Sequence, residues 1–372
     1  MIGEQSRPWR RETGSGLRHT LARIVALLAL GVSPAWAQVA DAGLGVSRRV
    51  AFDTVAGYQD FFAEDADWPT QFIVDAFAAI ELAPGVQVSV RPVLWRVGGE
   101  WESLLDQASL RYEFRRGVNW RVEAGKFPSP IGLGMTENRA NVNPGVIWCH
   151  RPYYMAVPSQ GRDVPPVSLV SAVYPWGAQV TSSGTRWDVR AGVVDLPPVA
   201  FWQRADGDAR GANRIVGGGL TPRQGMRVGA SRAWGRYARA TPSRAALDYD
   251  TLTVEADVAF GHSRLSGEWV RSQLDAPGGQ RASEGWTAQA QHTVTPRVFV
   301  HGRLSSVHSP QAATSQSTTV VAQRFRSIDT TAGYLLTPEV TLRVAHTAIR
   351  GFGRGAVDHQ LGVSVVWTKR WW

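Results

Sequence analysis

From Gln71 to the C-terminus, apolar and polar residues alternate with period two in one segment after another, and no other feature constrains the fold as much. Phe72, Val74, Ala76, Ala78, Ile80 and Leu82 share one face of the first such segment, and Gln71, Asp75 and Glu81 share the other. Successive side chains of a strand point to opposite faces, so the pattern reads as β structure with one apolar and one polar side. The same reading holds for residues 86–94, 107–115, 119–127, 167–182, 185–195, 213–220, 226–237, 248–260 and 263–273. Residues 284–294, 297–307, 324–336, 339–350 and 357–371 complete the series. Beyond the N-terminal region no apolar run is long enough for a transmembrane helix. A spanning strand, however, needs only about 10 alternating residues.

A soluble sandwich alternates too, but three features point to a membrane barrel. The apolar face persists through nearly every strand, and the opposite face carries charge in mid-strand, as at Glu255 and Asp257 against Leu252, Val254, Ala256 and Val258. Aromatic residues crowd the strand ends (Trp95, Trp101, Trp120, Trp176, Trp187, Tyr334, Trp367, Trp371 and Trp372), as girdles do at membrane interfaces. The connections alternate in character. Tight turns at Thr221-Pro222, Phe260-Gly261, Thr295-Pro296 and Thr337-Pro338 oppose longer polar loops at 196–212, 238–247, 274–283, 308–323 and 351–356. Short turns on one side and long loops on the other are the topology of outer-membrane barrels, whose strand number is even. About fifteen strands follow from Gln71 onward, so the weaker segment 46–58 is promoted to a strand and the total becomes about sixteen. The expected fold is all-β, a transmembrane antiparallel β-barrel occupying residues 38–372.

Alternation stops once, from 128 to 166, in a stretch punctuated by Pro128, Pro130, Pro144, Pro152, Pro158, Pro165 and Pro166. A structureless segment that long belongs in a barrel of this size only if it is itself functional. The expectation is an infolded third extracellular loop that narrows a water-filled lumen. Lys126, Arg139, Arg151 and Arg162 outnumber Glu137 and Asp163 there, so the constriction should lean positive. The wall adds Arg91, Arg111, Arg115, Arg121, Arg190, Arg227, Arg303 and Arg343, with Asp75, Glu113, Glu123, Asp188, Glu255, Asp257 and Asp329 on the same face. Two readings stand open for these charges: a cross-strand salt-bridge network that stiffens the wall, or an arginine ladder opposed by acids that sorts solutes by charge.

The first 37 residues read as a secretory signal peptide. Arg7, Arg10, Arg11, Arg18 and Arg23 precede an apolar run from Ile24 to Leu30, and Ala35-Trp-Ala37 supplies the small-x-small cleavage pattern. Removing five Arg with Glu4 and Glu12 takes a net +3 from the formal +9, leaving about +6. Lys126 and Lys369 are the only lysines, and the arginines are scattered along the strands, which argues against a nucleic-acid patch. A lone Cys149 excludes an internal disulfide framework.

The chain closes on an alternating strand with aromatic residues at its end, Leu361, Val363, Val365 and Trp367, which resembles the signal read by barrel-assembly machinery, although Lys369 interrupts it. Gly125-Lys-Phe-Pro-Ser-Pro-Ile-Gly-Leu-Gly134, with Glu137-Asn-Arg139 and Asn143-Pro144, resembles the strand-to-loop segment of the phosphate-selective porin O and P family. The resemblance implies a sixteen-stranded homotrimeric porin in the outer membrane, among its lipid and lipopolysaccharide, passing small hydrophilic solutes without a cofactor. Family members are similar in using lysine-rich basic clusters, and this chain departs from that, so general or weakly anion-preferring diffusion is expected in place of phosphate selectivity. Two other functions are weighed: a structural or adhesive barrel, and an outer-membrane hydrolase. Against the hydrolase, no Ser sits in a nucleophile elbow, and His262, His292, His301 and His346 lack metal-ligand spacing.

Overall fold

The alternating segments become sixteen strands in the computed structural model. It describes residues 50–371 apart from 63–69, 98, 134–138, 147–156, 158–163, 166, 172, 202–210, 277–278, 311–321 and 352–355. In chain order these are β1 (Val50–Phe62), β2 (Gln71–Ala83), β3 (Val86–Val97), β4 (Glu100–Arg116), β5 (Val118–Lys126), β6 (Trp176–Ser183), β7 (Trp187–Val194) and β8 (Asn213–Arg223). Then follow β9 (Met226–Ala238), β10 (Leu247–Phe260), β11 (Ser263–Leu274), β12 (Arg281–Thr295), β13 (Val298–Pro310), β14 (Ala322–Leu335), β15 (Val340–Arg350) and β16 (Asp358–Arg370). Each pairs antiparallel with its sequence neighbours, and β1 pairs with β16 from Asp53↔Arg370 to Phe62↔Leu361, which closes the sheet into a barrel. Closure removes every edge, the only arrangement in which a sheet can satisfy its backbone within hydrocarbon. The weak segment 46–58 is therefore a wall strand, shifted to Val50–Phe62; its first four residues and the expected signal peptide, 1–37, lie outside the described residues.

Burial fixes the two faces. Val254 is 47% exposed on the outside while its neighbour Glu255 is 3% exposed on the inside. Of the expected girdle, Trp101, Trp176, Trp187 and Tyr334 are exposed near strand ends, and Phe114 stacks on both Tyr112 and Trp120. Trp95 departs from it: it follows the odd-numbered face of Arg91 and Val93 and packs on an inner cluster of Val55, Ile73, Val93 and Val366. Trp371 stacks on Phe52, and Trp372 lies outside the described residues.

The tight turns have a chemical basis. Thr295 Oγ1 accepts from the amides of Arg297 (3.3 Å) and Val298 (3.1 Å), and Thr337 Oγ1 does the same for Glu339 (3.2 Å) and Val340 (3.1 Å). A threonine before proline thus substitutes for the backbone bonds a turn would otherwise need. Thr221-Pro222 is different: it lies within β8, and the chain reverses later, at Gly225 with φ +80°. The sheet tolerates Pro222 because the register between β8 and β9 breaks there, between Leu220 and Arg223.

One strand is shorter than its sequence pattern. Residues 167–175, expected as the start of β6, are not part of the wall. They run inside the barrel against the loop after β7: Val167 bridges Ala200, and Ser168 N donates to Val199 O at 2.9 Å. The apolar alternation there serves an inner layer. Phe127, Ile131, Val157, Val167, Leu169 and Val170 pack on inward side chains of β8 to β15, among them Ile215, Tyr249, Leu274, Val307, Phe325 and Ile349. The lumen therefore holds an apolar core beside its polar wall.

Candidate pore and its infolded loop

The loop between β5 and β6 is the third connection on the side opposite the Pro84-Gly85 turn, after β1–β2 and the two-residue β3–β4 link, and its stems leave the wall together. Gly125 has φ +123°, and a Cβ there would collide with the carbonyl oxygen of Ala108, so only glycine fits the bend. Phe127 N then donates to Pro175 O at 3.2 Å and Ser129 N to Val173 O at 3.0 Å, a short ladder that carries both stems inward. Ser129, Ile131, Asn143 and Val146 are all buried.

Polar anchors tie the loop to widely separated strands. Leu133 N donates to Glu268 of β11 at 2.9 Å, and Ser272 of β11 donates to the carbonyl of Leu169 at 2.6 Å. Arg303 of β13 donates to Asn143 Oδ1 at 3.0 Å, and Arg343 of β15 donates to the carbonyl of Gly145 at 3.2 Å. On the facing wall Arg139 donates to Asp75 of β2 at 3.1 Å and pairs with Asp53 of β1. Asp75 is also held by Arg91 of β3 through Nε at 3.0 Å and Nη2 at 2.6 Å, and Arg91 Nη1 reaches the Tyr174 hydroxyl. A segment fastened to β1, β2, β3, β11, β13 and β15 spans the lumen.

The expected site residues divide accordingly. Arg91, Arg303 and Arg343 are nearly buried and hold the loop, so they do not line a free passage. Arg139 is matched by two carboxylates. Lys126 ends β5, in register with Ala108 and Trp176. Glu137, Arg151, Arg162 and Asp163 lie outside the described residues.

A second belt of charge lies toward the tight-turn end, on β4 to β11. Arg111 approaches Gln87 (3.2 Å), Glu113 (3.7 Å) and Glu123 (3.9 Å). Glu123 accepts from Ser109 at 2.7 Å and Gln179 at 2.9 Å. Arg190 donates to Ser231 at 2.7 Å and lies 4.0 Å from Glu255, which also pairs with Arg227; Arg227 reaches Asp188 at 3.2 Å. Arg264 donates to Asp257 at 2.9 Å. Acids and arginines thus interleave on one wall, a cross-strand network in place of a ladder facing acids across the lumen. Among the described residues, Arg121 and Arg115 make no hydrogen bond or ion pair within this belt; Arg121 is half-buried beside it and Arg115 exposed at its lower edge.

Asp53, Glu268 and Tyr174 carry the loop but were not singled out from the sequence, and Asn143 was read only as part of the loop motif; periodicity places a residue on a face and says nothing of which loop atom meets it. Among the described residues, the four histidines weighed above do not come together in one cluster. His301 lies near Gln289, His346 stacks on His359, and Ser263 and His292 hydrogen-bond at 2.9 Å. Among the described residues no group of three or more His, Cys, Asp or Glu is placed to hold a metal ion.

No family model matches the chain, and no curated protein matches it either. Solved structures do. The anion-selective porin from Comamonas acidovorans is similar at a TM-score of 0.56 and 12% identity, over 87% of this chain and 100% of that one. In-vitro folded OmpT, an outer membrane protein of Vibrio cholerae, gives 0.57 at 11% identity over 88% and 99%. Salmonella typhi OmpF in complex with daunomycin gives 0.58 at 8% identity over 87% and 97%. At these identities the likeness is one of fold: a closed sixteen-strand barrel of the porin kind.

Proposed function

We propose that the chain is an outer-membrane porin, a passive channel for small hydrophilic solutes whose bore is set by the third loop. The observation that carries this reading is the loop itself, anchored to opposite walls of a closed barrel whose inner face is charged and whose outer face is apolar. An adhesive or purely structural barrel has no need of such a crossing. Outer-membrane location and a homotrimeric assembly are part of the same proposal, supported by the barrel topology and by the fold it shares with porins.

The preference among ions should be weak and toward anions. Arg139 is neutralised by Asp53 and Asp75, and the wall belt pairs most of its arginines, which leaves Arg121 and Arg115 as uncompensated cations. Phosphate selectivity of the porin O and P kind is not part of the proposal: it would rest on the Gly125–Gly134 motif alone, in a mature chain with two lysines.

The test is conductance in planar bilayers. Discrete open steps with a reversal potential displaced modestly toward the anion value are expected under a salt gradient. A folded, inserted protein that gives no steps would overturn the channel and favour a structural barrel.

A further inference from the structure

The outer face of β11 to β15 carries a pattern that a wall facing only hydrocarbon does not need. Register lays it out in rows across the strands. Nearest the long-loop end lie Arg271, Glu284, His308 and Arg324; the next row is Trp269, Trp286, Ser306, Arg326 and Arg350. The row after that, about 7 Å further down, holds Ala288, Leu304 and Ile328, and the fourth holds Ala290, Gly302 and Thr330.

Two features stand out. The first is charge: Arg271, Arg324 and Arg326 face one acid, Glu284, in the upper two rows, and the residue in register with Arg326 on β15 is a further arginine, Arg350, which has a partner of its own. Among the described residues Arg324 and Arg326 have no hydrogen-bond or ion-pair partner, although both are exposed. On β9 and β10 the same rim is self-compensated, with Arg232 donating to Asp250 at 3.0 Å and Arg236 3.6 Å from Asp248. The second is shape. Below the arginines a hollow opens between Trp269 and Trp286 on one side and Leu304 and Ile328 on the other. It continues past Ala288 and Ala290 to Gly302, where a Cβ would meet nothing within 4 Å.

We propose that this trough seats the phosphorylated, acylated anchor of lipopolysaccharide, with phosphate on Arg324 and Arg326 and an acyl chain along Ala288 and Gly302. The guanidinium fork of Arg324 and Arg326 matches phosphate oxygens in pairs. Several arginines close together fit an anchor bearing more than one phosphate better than a phospholipid with a single charge. The position fits too: taken as outer-membrane, as proposed above, the long-loop end faces outward, and the arginines lie at outer-leaflet headgroup depth.

The test titrates bisphosphorylated, six-chain lipid A into the mature protein in neutral detergent, followed by native mass spectrometry. Phosphatidylglycerol, dephosphorylated lipid A and inorganic phosphate are run alongside. Lipid A should bind, the three comparison ligands should bind at least about tenfold more weakly, and R324Q/R326Q should lose about tenfold in affinity for lipid A while R232Q loses nothing. Each variant is first checked for heat-modifiable migration. Should R324Q/R326Q not fold, Gly302→Trp, which fills the trough from the outside, should give the same loss. Equal lipid A binding by wild type and folded variants overturns the site, and equal binding of phosphatidylglycerol overturns its assignment to lipopolysaccharide. Conductance measured on the same sample separates the two readings. Channels that ignore lipid A overturn this inference alone, and silent protein with arginine-dependent lipid A binding overturns the pore alone.

Discussion

Arg139 of the third loop donates to Asp75 of β2 at 3.1 Å, joining positions 64 residues apart and fixing the loop's near end to the barrel wall. Asp75 is 1% exposed and serves two arginines at once, because Arg91 holds it from β3. Arg139 is also matched by Asp53, and Asp106 lies 3.9 Å from Arg91, so three carboxylates surround the two cations at this point. At this end the loop is therefore held by ion-paired contacts around a buried Asp75, a geometry suited to a fixed constriction.

Asp75→Ala should destabilise the folded barrel strongly. It leaves Arg91, 5% exposed, with Asp106 at 3.9 Å in place of its bidentate carboxylate, and removing one partner of a buried pair costs up to about 3–5 kcal/mol. Arg139→Ala should cost less, since Asp75 keeps Arg91, but it frees the loop's near end. Thermal unfolding should rank the variants in that order, and Arg139→Ala should show noisier open-channel current. Equal melting temperatures for both would remove Asp75 from the centre of the network.

The wall assignment is tested by charge insertion. Val254→Arg and Val300→Arg place a cation on the outer face, where it costs roughly 2–4 kcal/mol near the bilayer midplane. Thr293→Arg adds the same charge to a half-buried position on the inner face and should assemble normally. Glu255→Arg is no neutral comparison, because Glu255 sits between Arg190 and Arg227 and its reversal would gather three cations. Yield of heat-modifiable protein in the outer-membrane fraction reads the difference, and equal yields for all positions would reverse the inside and the outside.

Deleting 141–160 while keeping the stems should raise single-channel conductance. The deletion removes Asn143 and Gly145, the partners of Arg303 and Arg343, and with them the loop's hold on β13 and β15. Those arginines, now buried at 1% and 3%, would face water and regain solvation, so the barrel should survive with a moderate loss of thermal stability. Unchanged conductance would mean that the passage does not run past this loop.

How much of this was visible in the chain depends on the kind of information required. Period two sets faces, and the even-strand rule promoted the weakly patterned segment 46–58, which the fold places at Val50–Phe62 as the partner of β16. Periodicity cannot tell a wall strand from an extended inner layer, so Val167 and Leu169 read as wall until Phe127, Val307 and Phe325 are seen to receive them inside. Charge pairing was equally hidden. Arg139 looks like a free loop cation in the sequence, and only the fold brings Asp53 and Asp75 to it. Arg121 looked no different from Arg190, yet Arg190 has Ser231 and Glu255, and Arg121 has neither.

That difference decides where selectivity should be sought. Reversing Arg139 places a carboxylate against Asp53 and Asp75, so its main effect should be structural: a shifted, noisier conductance with lower stability. Arg121 has no partner to lose, and Arg121→Glu changes the lumen charge by two units in a belt that is otherwise nearly balanced. Under a salt gradient, Arg121→Glu should move the reversal potential toward cations more than Arg139→Gln does. Raising the salt should shrink that shift, since the Debye length falls from about 10 Å at 0.1 M to about 3 Å at 1 M. A shift that persists at 1 M would indicate direct contact between Arg121 and the passing ion. No shift at either salt would place the ion path away from the β4–β7 wall, and the anion preference would then have to arise in the loop.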